Sequence, residues 1–165
     1  MEKFQEDRLQ ARKYVKAADH MLTQTYLLVK DPKLLVAVTD NLLLACESAM
    51  SSVLHYDRIF KKIPPFHDNF ESKFNMFKMK TAPMNKLNEY ILLINELKTL
   101  QEKHKQSAVE FSRKDNFVMA DDNYNLQLIT KEKIQDIMSK VKNFLTEVEK
   151  LTSKDEGIFN LASEI

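Results

Sequence analysis

A single glycine, Gly157, in a chain of 165 residues restricts the fold more than any other feature of the sequence. Tight hairpins, left-handed turns and phosphate-cradling loops draw on glycine, whose usual share is about 7%. Extensive sheet and glycine-rich nucleotide loops are therefore excluded, and helix is the remaining way to order so long a chain. With 44% hydrophobic and 30% charged residues, the chain lies outside the low-hydrophobicity, high-charge range of disordered proteins. Its length suits one core that removes about 70% of the unfolded surface from water. The expectation is a single mainly α domain over 1–165.

Apolar periodicity places the helices. Over 3–30, Ala11, Val15, Ala18, Leu22, Thr25 and Val29 recur in steps of four and three, widened by Tyr14, Met21 and Leu28, which predicts an amphipathic helix. Asp31-Pro32 closes it and opens a second helix over 32–62, apolar around most of its circumference and so the central helix of a bundle. Leu44 and Cys46 are both expected in its core. Pro64-Pro65 ends this helix, and Phe70, Phe74 and Phe77 predict a short aromatic helix within 66–80. Thr81-Ala82-Pro83 opens a third long helix to about 106, with Leu87, Tyr90, Ile91, Ile94, Leu97 and Leu100 inward. A fourth follows the N-cap Thr130, with Ile134, Ile137, Met138, Val141, Phe144, Leu145, Val148 and Leu151 on one face.

Between the last two helices the period falls to two. Phe117 and Met119 alternate with polar or small residues, Tyr124, Leu126 and Leu128 do the same, and Asp121-Asp122-Asn123 supplies a turn. A β-hairpin is predicted at about 116–129, with 109–112 as a possible third strand, and a C-terminal tail over 155–165 as a terminal turn docked on the bundle. The architecture expected is an antiparallel bundle of four main helices with a short aromatic helix and an inserted hairpin.

Cys46 is the only cysteine, so no intramolecular disulfide forms, and a reducing compartment fits. The N-terminus has no apolar block and no 18 consecutive residues are apolar, so neither a signal peptide nor a membrane span is expected and the chain reads as cytoplasmic. A net charge of +1 gives no global attraction for nucleic acid or anionic membranes. His20, His55, His67 and His104 are scattered without metal-ligand spacing; neither a metal nor another cofactor is implied.

The polar sector of the second helix holds the most chemistry. Glu47, Ser51, His55 and Arg58 follow at spacings of four, four and three, a ridge able to run acid–base chemistry, hold an anion or simply face solvent. The stretch 57–86 interleaves Lys73, Lys78 and Lys80 with phenylalanines, as a single-stranded nucleic-acid surface would. The spacing equally fits a small helix burying its aromatic side, and Met76, Met79 and Met84 could form a partner groove. Arg113 and Lys114 at the hairpin turn are further anion contacts, or solvated edge residues. No catalytic residue is assigned.

With helices in this order, the chain resembles the HEPN superfamily of small, often dimeric helical bundles. The likeness rests on Ala17-Ala18-Asp19-His20 in the first helix, on the apolar second helix, and on Glu110-Phe111-Ser112-Arg113 leading to Thr130-Lys131-Glu132. That family includes RNA-cleaving members whose arginine is followed four to six residues later by histidine. Arg113 is the only match, and no histidine follows it. The resemblance thus implies a non-enzymatic interaction or regulatory module that forms a homodimer, with a protein partner possible. The competing expectation is an RNA-binding protein or ribonuclease using His55, Arg58 and the basic aromatic segment. An excess of apolar residues on the second and third helices, including Leu92 and Leu93, predicts self-association through helix faces.

Overall fold

The computed structural model describes residues 1–154; the tail expected over 155–165 lies outside the described residues. Helix α1 (Lys3–His20) continues through a π-helical turn, Met21–Thr25, into α2 (Tyr26–Val29). The chain then enters α3 (Lys33–Ile59). A shorter rod follows, built from α4 (Phe70–Met76), a second π turn, Phe77–Thr81, and α5 (Ala82–Asn85). Next come α6 (Glu89–Gln106), the strands β1 (Val109–Arg113), β2 (Asn116–Ala120) and β3 (Leu126–Ile129), and α7 (Lys131–Thr152). The fold is mainly α, as the sequence predicts, and the inserted element is a three-stranded antiparallel meander in the order β1-β2-β3.

Local chemistry sets these boundaries. Lys30 takes a left-handed conformation (φ 54°) that closes α2, and the Asp31 carboxylate accepts the Lys33 amide at 3.0 Å, so the predicted break falls in place. Asn69 Oδ1 caps α4 by accepting from the Ser72 amide at 2.8 Å. Thr130 caps α7 in the same way through Lys133, at 3.1 Å. The start of the third long helix differs from expectation, because Thr81-Ala82-Pro83 belongs to the preceding rod. Pro83 has no amide to donate and would crowd the carbonyl four residues back in a regular helix. The wider π turn lies immediately before it, and left-handed Lys86 (φ 58°) then stops the rod. α6 therefore begins at Glu89, with Leu87 buried in the connection.

Four rods form an up-down-up-down bundle. Asp7 meets Ser51 and His55 while Met21 meets Asn41, so α1 and α3 run antiparallel. Arg8–Thr152, Arg12–Glu149 and Lys142–Asp19 set α7 antiparallel to α1. α3 is the central member and would be long and apolar enough to cross a membrane, but α1, α6 and α7 take up its apolar surface. Three expected inward positions lie outside. Leu44 is 37% exposed, because two residues along a helix is 200° around it and Cys46 points inward. Val29 and Leu28 are also exposed: after the π turn, Tyr26 continues the buried stripe, and α2 ends before another inward position arrives.

The meander closes the bundle end where α3 begins. Phe117, Met119 and Ile129 point inward and join the main core. The opposite face carries Val109, Phe111, Val118, Ala120, Leu126 and Leu128, aligned by the pairs Val109–Ala120, Phe111–Val118, Val118–Leu128 and Ala120–Leu126. Lys114 (φ 56°) occupies the β1–β2 turn. Asp121 organises the next loop by accepting the Asn123 and Asn125 amides, each at 2.9 Å.

These placements separate two neighbours on α3. Leu42→Ala, at a fully buried site, should lower the unfolding free energy by roughly 2–5 kcal/mol. Leu44→Ala should lower it by under about 1 kcal/mol; paired denaturant titrations read both values, and similar losses would contradict the α3 orientation.

Candidate functional site

The first turns of α1, the C-terminal half of α3 and the start of α4 converge on one carboxylate, Asp7. Its position is unusual from the sequence upward: Phe4, Asp7, Ala11, Val15 and Ala18 are all buried on the same face of α1, so an acid occupies a core register. Lys3 Nζ donates to Oδ1 at 2.8 Å, one helical turn away. Ser51 Oγ donates to Oδ2 at 2.9 Å, and His55 Nδ1 lies 2.9 Å from the same oxygen. Burial pushes the Asp7 carboxyl up, but the hydrogen bonds from His55, Lys3 and Ser51 outweigh it and hold the group below the usual carboxylate range.

Lys73 closes the network from α4. Its Nζ donates to Ser51 Oγ at 3.2 Å and pairs with Asp68 at 2.5 Å. The His55 ring packs against Phe66, with centroids 5.3 Å apart. The ridge read from the sequence is thus covered, with Ser51 buried and His55, Glu47 and Arg58 half-buried. Glu47 lies at one end, where burial raises its pKa against the opposing pull of Lys98, Lys73 and Lys105.

Can this cluster react? A base-activated serine needs an imidazole nitrogen free to take its proton while the carboxylate holds the other nitrogen. Here Nδ1 of His55 faces both Asp7 and Ser51, the latter at 3.2 Å. The serine proton is committed to Asp7, and its lone pair accepts from Lys73. The arrangement locks three elements together by charge-assisted hydrogen bonds. It does not assemble a nucleophile.

The cations singled out in the sequence do not form one surface. Lys73 belongs to this network, Lys78 stands over the Phe74 ring at 4.6 Å, and Lys80 lines an apolar groove with Pro64, Pro65, Met76 and Met79. Phe74 and Phe77 are buried, which favours the core reading of the aromatic helix. Arg113 and Lys114 lie at the sheet, beside α2, where Tyr26 Oη donates to the Asp115 carbonyl at 3.3 Å. Lys33, at that end of α3, is about 27 Å from Ser51 along the helix axis. Glu110-Phe111-Ser112-Arg113 is strand β1 itself, so Arg113 has a strand-end setting with no histidine after it.

Sequence reasoning missed Asp7, and the available signal was a carboxylate in the apolar register of the first helix. It also missed a second cluster. His104 Nδ1 lies 2.8 Å from Glu110 Oε1, which also accepts from Ser107 Oγ, and Asp40 shares their cleft. No metal-binding group of three His, Cys, Asp or Glu side chains occurs among the described residues. No protein-family model matches the chain, and neither a curated protein nor a solved structure matches it significantly.

Asp7 gives the network a defined pH signature. Its folded carboxyl titrates below the unfolded value of about 3.9, so its contribution is complete above that value and fades as pH falls through the lower folded one. Asp7→Ala should destabilise the protein by roughly 2–4 kcal/mol near neutral pH. The gap between wild type and variant should narrow below about pH 4. Denaturant titrations of both proteins across that range check this; a gap that widens in acid would refute it.

Proposed function

We propose that this chain is a non-enzymatic interaction module of HEPN-like helix order that self-associates, with a second copy docking on the outward face of the meander. The observation that carries this reading is the composition of that face. Val109, Phe111, Leu126 and Leu128 are each more than 40% exposed around Val118 and Ala120. Leu27 lines a cleft with Asp115 and Lys131 beside the β1–β2 turn. Four exposed apolar side chains on one small sheet face, flanking the buried Val118 and Ala120, are the kind of surface at which proteins interact.

The helix-face version of self-association loses its basis, since Leu93 is buried and Leu9, Leu44, Ile59 and Leu92 are exposed on three different helices. Charge further favours a second copy. Arg113 and Lys114 stand at one end of the sheet, and Asp121 and Asp122 at the other. The Asn125 and Asn123 hydrogen bonds keep Asp121 below its usual pKa, hence ionised. A two-fold axis across the strands stacks the faces antiparallel and sets each basic end over the partner's acidic end. The alternative axis, along the strands, brings like charges together.

Three strands of about five residues cover only about 14 by 17 Å, less than the roughly 1,000 Å² of total buried area that a stable specific interface needs, so the contact is a weak, concentration-dependent one. Light scattering should give a mass near twice 19.3 kDa at high concentration, falling on dilution. Phe111→Glu should yield a folded monomer, whereas Leu92→Glu should leave the mass unchanged. Arg113→Glu should weaken the dimer and Asp122→Lys in the same chain should restore it. A wild type monomeric at every concentration overturns the proposal.

A further inference from the structure

The first turns of α3, the end of α6 and the inner side of the meander enclose an open cleft of about 450 Å³. Its apolar lining is Val36, Ala37 and Phe117; its polar lining is Asp40, His104 and Glu110, with Lys33 on the α3 side. The volume falls within the range of small-molecule sites, and the wall combines an apolar side with a polar, charged one. We propose that this cleft binds a small organic amine, its ammonium group taken by the Asp40 and Glu110 carboxylates and its carbon body resting on Val36, Ala37 and Phe117.

Asp40 carries the argument. It is half-buried yet makes no hydrogen bond or ion pair among the described residues, whereas Glu110 beside it is paired through one oxygen. Burial raises its pKa, against the opposing influence of His104 and Lys105. A carboxylate drawn out of water without a donor is costly, and a ligand bearing a cationic N–H group removes that cost. Glu110 supplies a second acceptor: Oε1 is occupied by Ser107 Oγ and His104 Nδ1, and Oε2 has no partner among the described residues. The His104 ring meets Phe117 edge-on, centroids 6.2 Å apart, which fixes the floor of the cleft.

Sign and size decide the class of ligand. Asp40 and Glu110 face Lys33 and His104 in the lining, so the cleft carries no excess of positive charge to hold an anion. The described residues offer no three-ligand group for a metal ion, and the apolar lining has no use in binding a bare cation.

Titration of the isotopically labelled full chain with benzylamine, benzyl alcohol and benzoate, followed by two-dimensional NMR, tests the assignment. Benzylamine should saturably shift the signals of Val36, Ala37, His104 and Phe117 and bind at least about tenfold more tightly than benzyl alcohol, the worth of one charge-assisted hydrogen bond. Asp40→Asn should remove most of that preference while leaving the benzyl alcohol shifts and the melting temperature unchanged. Val36→Ser, which keeps both carboxylates, should weaken both neutral and charged probes. Equal binding of amine and alcohol, tighter binding of benzoate, or no saturable shift with benzylamine would each overturn the proposal.

Discussion

A helix of 27 residues that is apolar around most of its girth needs neighbours on several sides, and α1, α6 and α7 supply them. Their directions follow from that demand. The short connection from α2 sets α1 antiparallel to α3, while α6 runs against α3 and α7 returns alongside it after longer connections. The two long linkers then fall at opposite ends of α3. The α4–α5 rod fills the space between the end of α3 and the start of α6, and the meander joins α6 to α7 where α3 begins. Small side chains, Ala11 and Ala18 on α1 and Ala45 and Ala49 on α3, are fully buried or nearly so, which lets the two helices approach closely. Ser52 Oγ donates to the Phe4 carbonyl at 2.7 Å across that contact.

Wrapping α3 so completely leaves its few polar residues inside, where each needs a partner. Asp57 shows one solution: fully buried, it accepts from Asn85 Nδ2 at 3.0 Å and so ties α3 to α5. Burial pushes its carboxyl up and the Asn85 bond pulls it back. Asp7, Ser51, His55 and Lys73 form the larger solution. The charges there bring α1 and α4 to the same stretch of α3, so the polar row that looked like a solvent strip becomes a joint between three helices.

Much of the architecture was legible because it depends on period and punctuation. Asp31-Pro32, Thr130 and the stripe from Ile134 to Val148 report α3 and α7 directly, since caps and 3.6-residue spacing act within a few residues. What failed has a long-range or phase-shifting cause. Each π turn adds a residue to one helical turn and rotates the stripe that follows, which moved Val29 outward and drew Thr81 to Asn85 into the preceding rod. The partners of Ser51 and His55 lie 44 and 48 residues away, beyond any spacing rule. Glu47, Ser51, His55 and Arg58 were readable as a ridge; what covers them was not.

The apolar surplus of the chain was legible as an amount but not as a place. Helices of a bundle can turn a surplus residue toward a neighbour by small rotations, and α3 and α6 have done so for most of theirs. A meander at the end of a bundle has no such freedom, because alternate residues must point to opposite faces. Once Phe117, Met119 and Ile129 are committed to the core, Phe111, Val118 and Leu128 are forced outward together, in one row across three strands. A sheet with a single buried face would carry polar residues there, whereas the edge strands place Glu110 inward and Arg113 at the rim. Edge-to-edge pairing is thus discouraged by charge, and the apolar side chains that the pleat leaves outside, Val109, Phe111, Leu126 and Leu128, flank a buried Val118 on the outer face, a placement that alternation dictates and that helix rotation could not relieve.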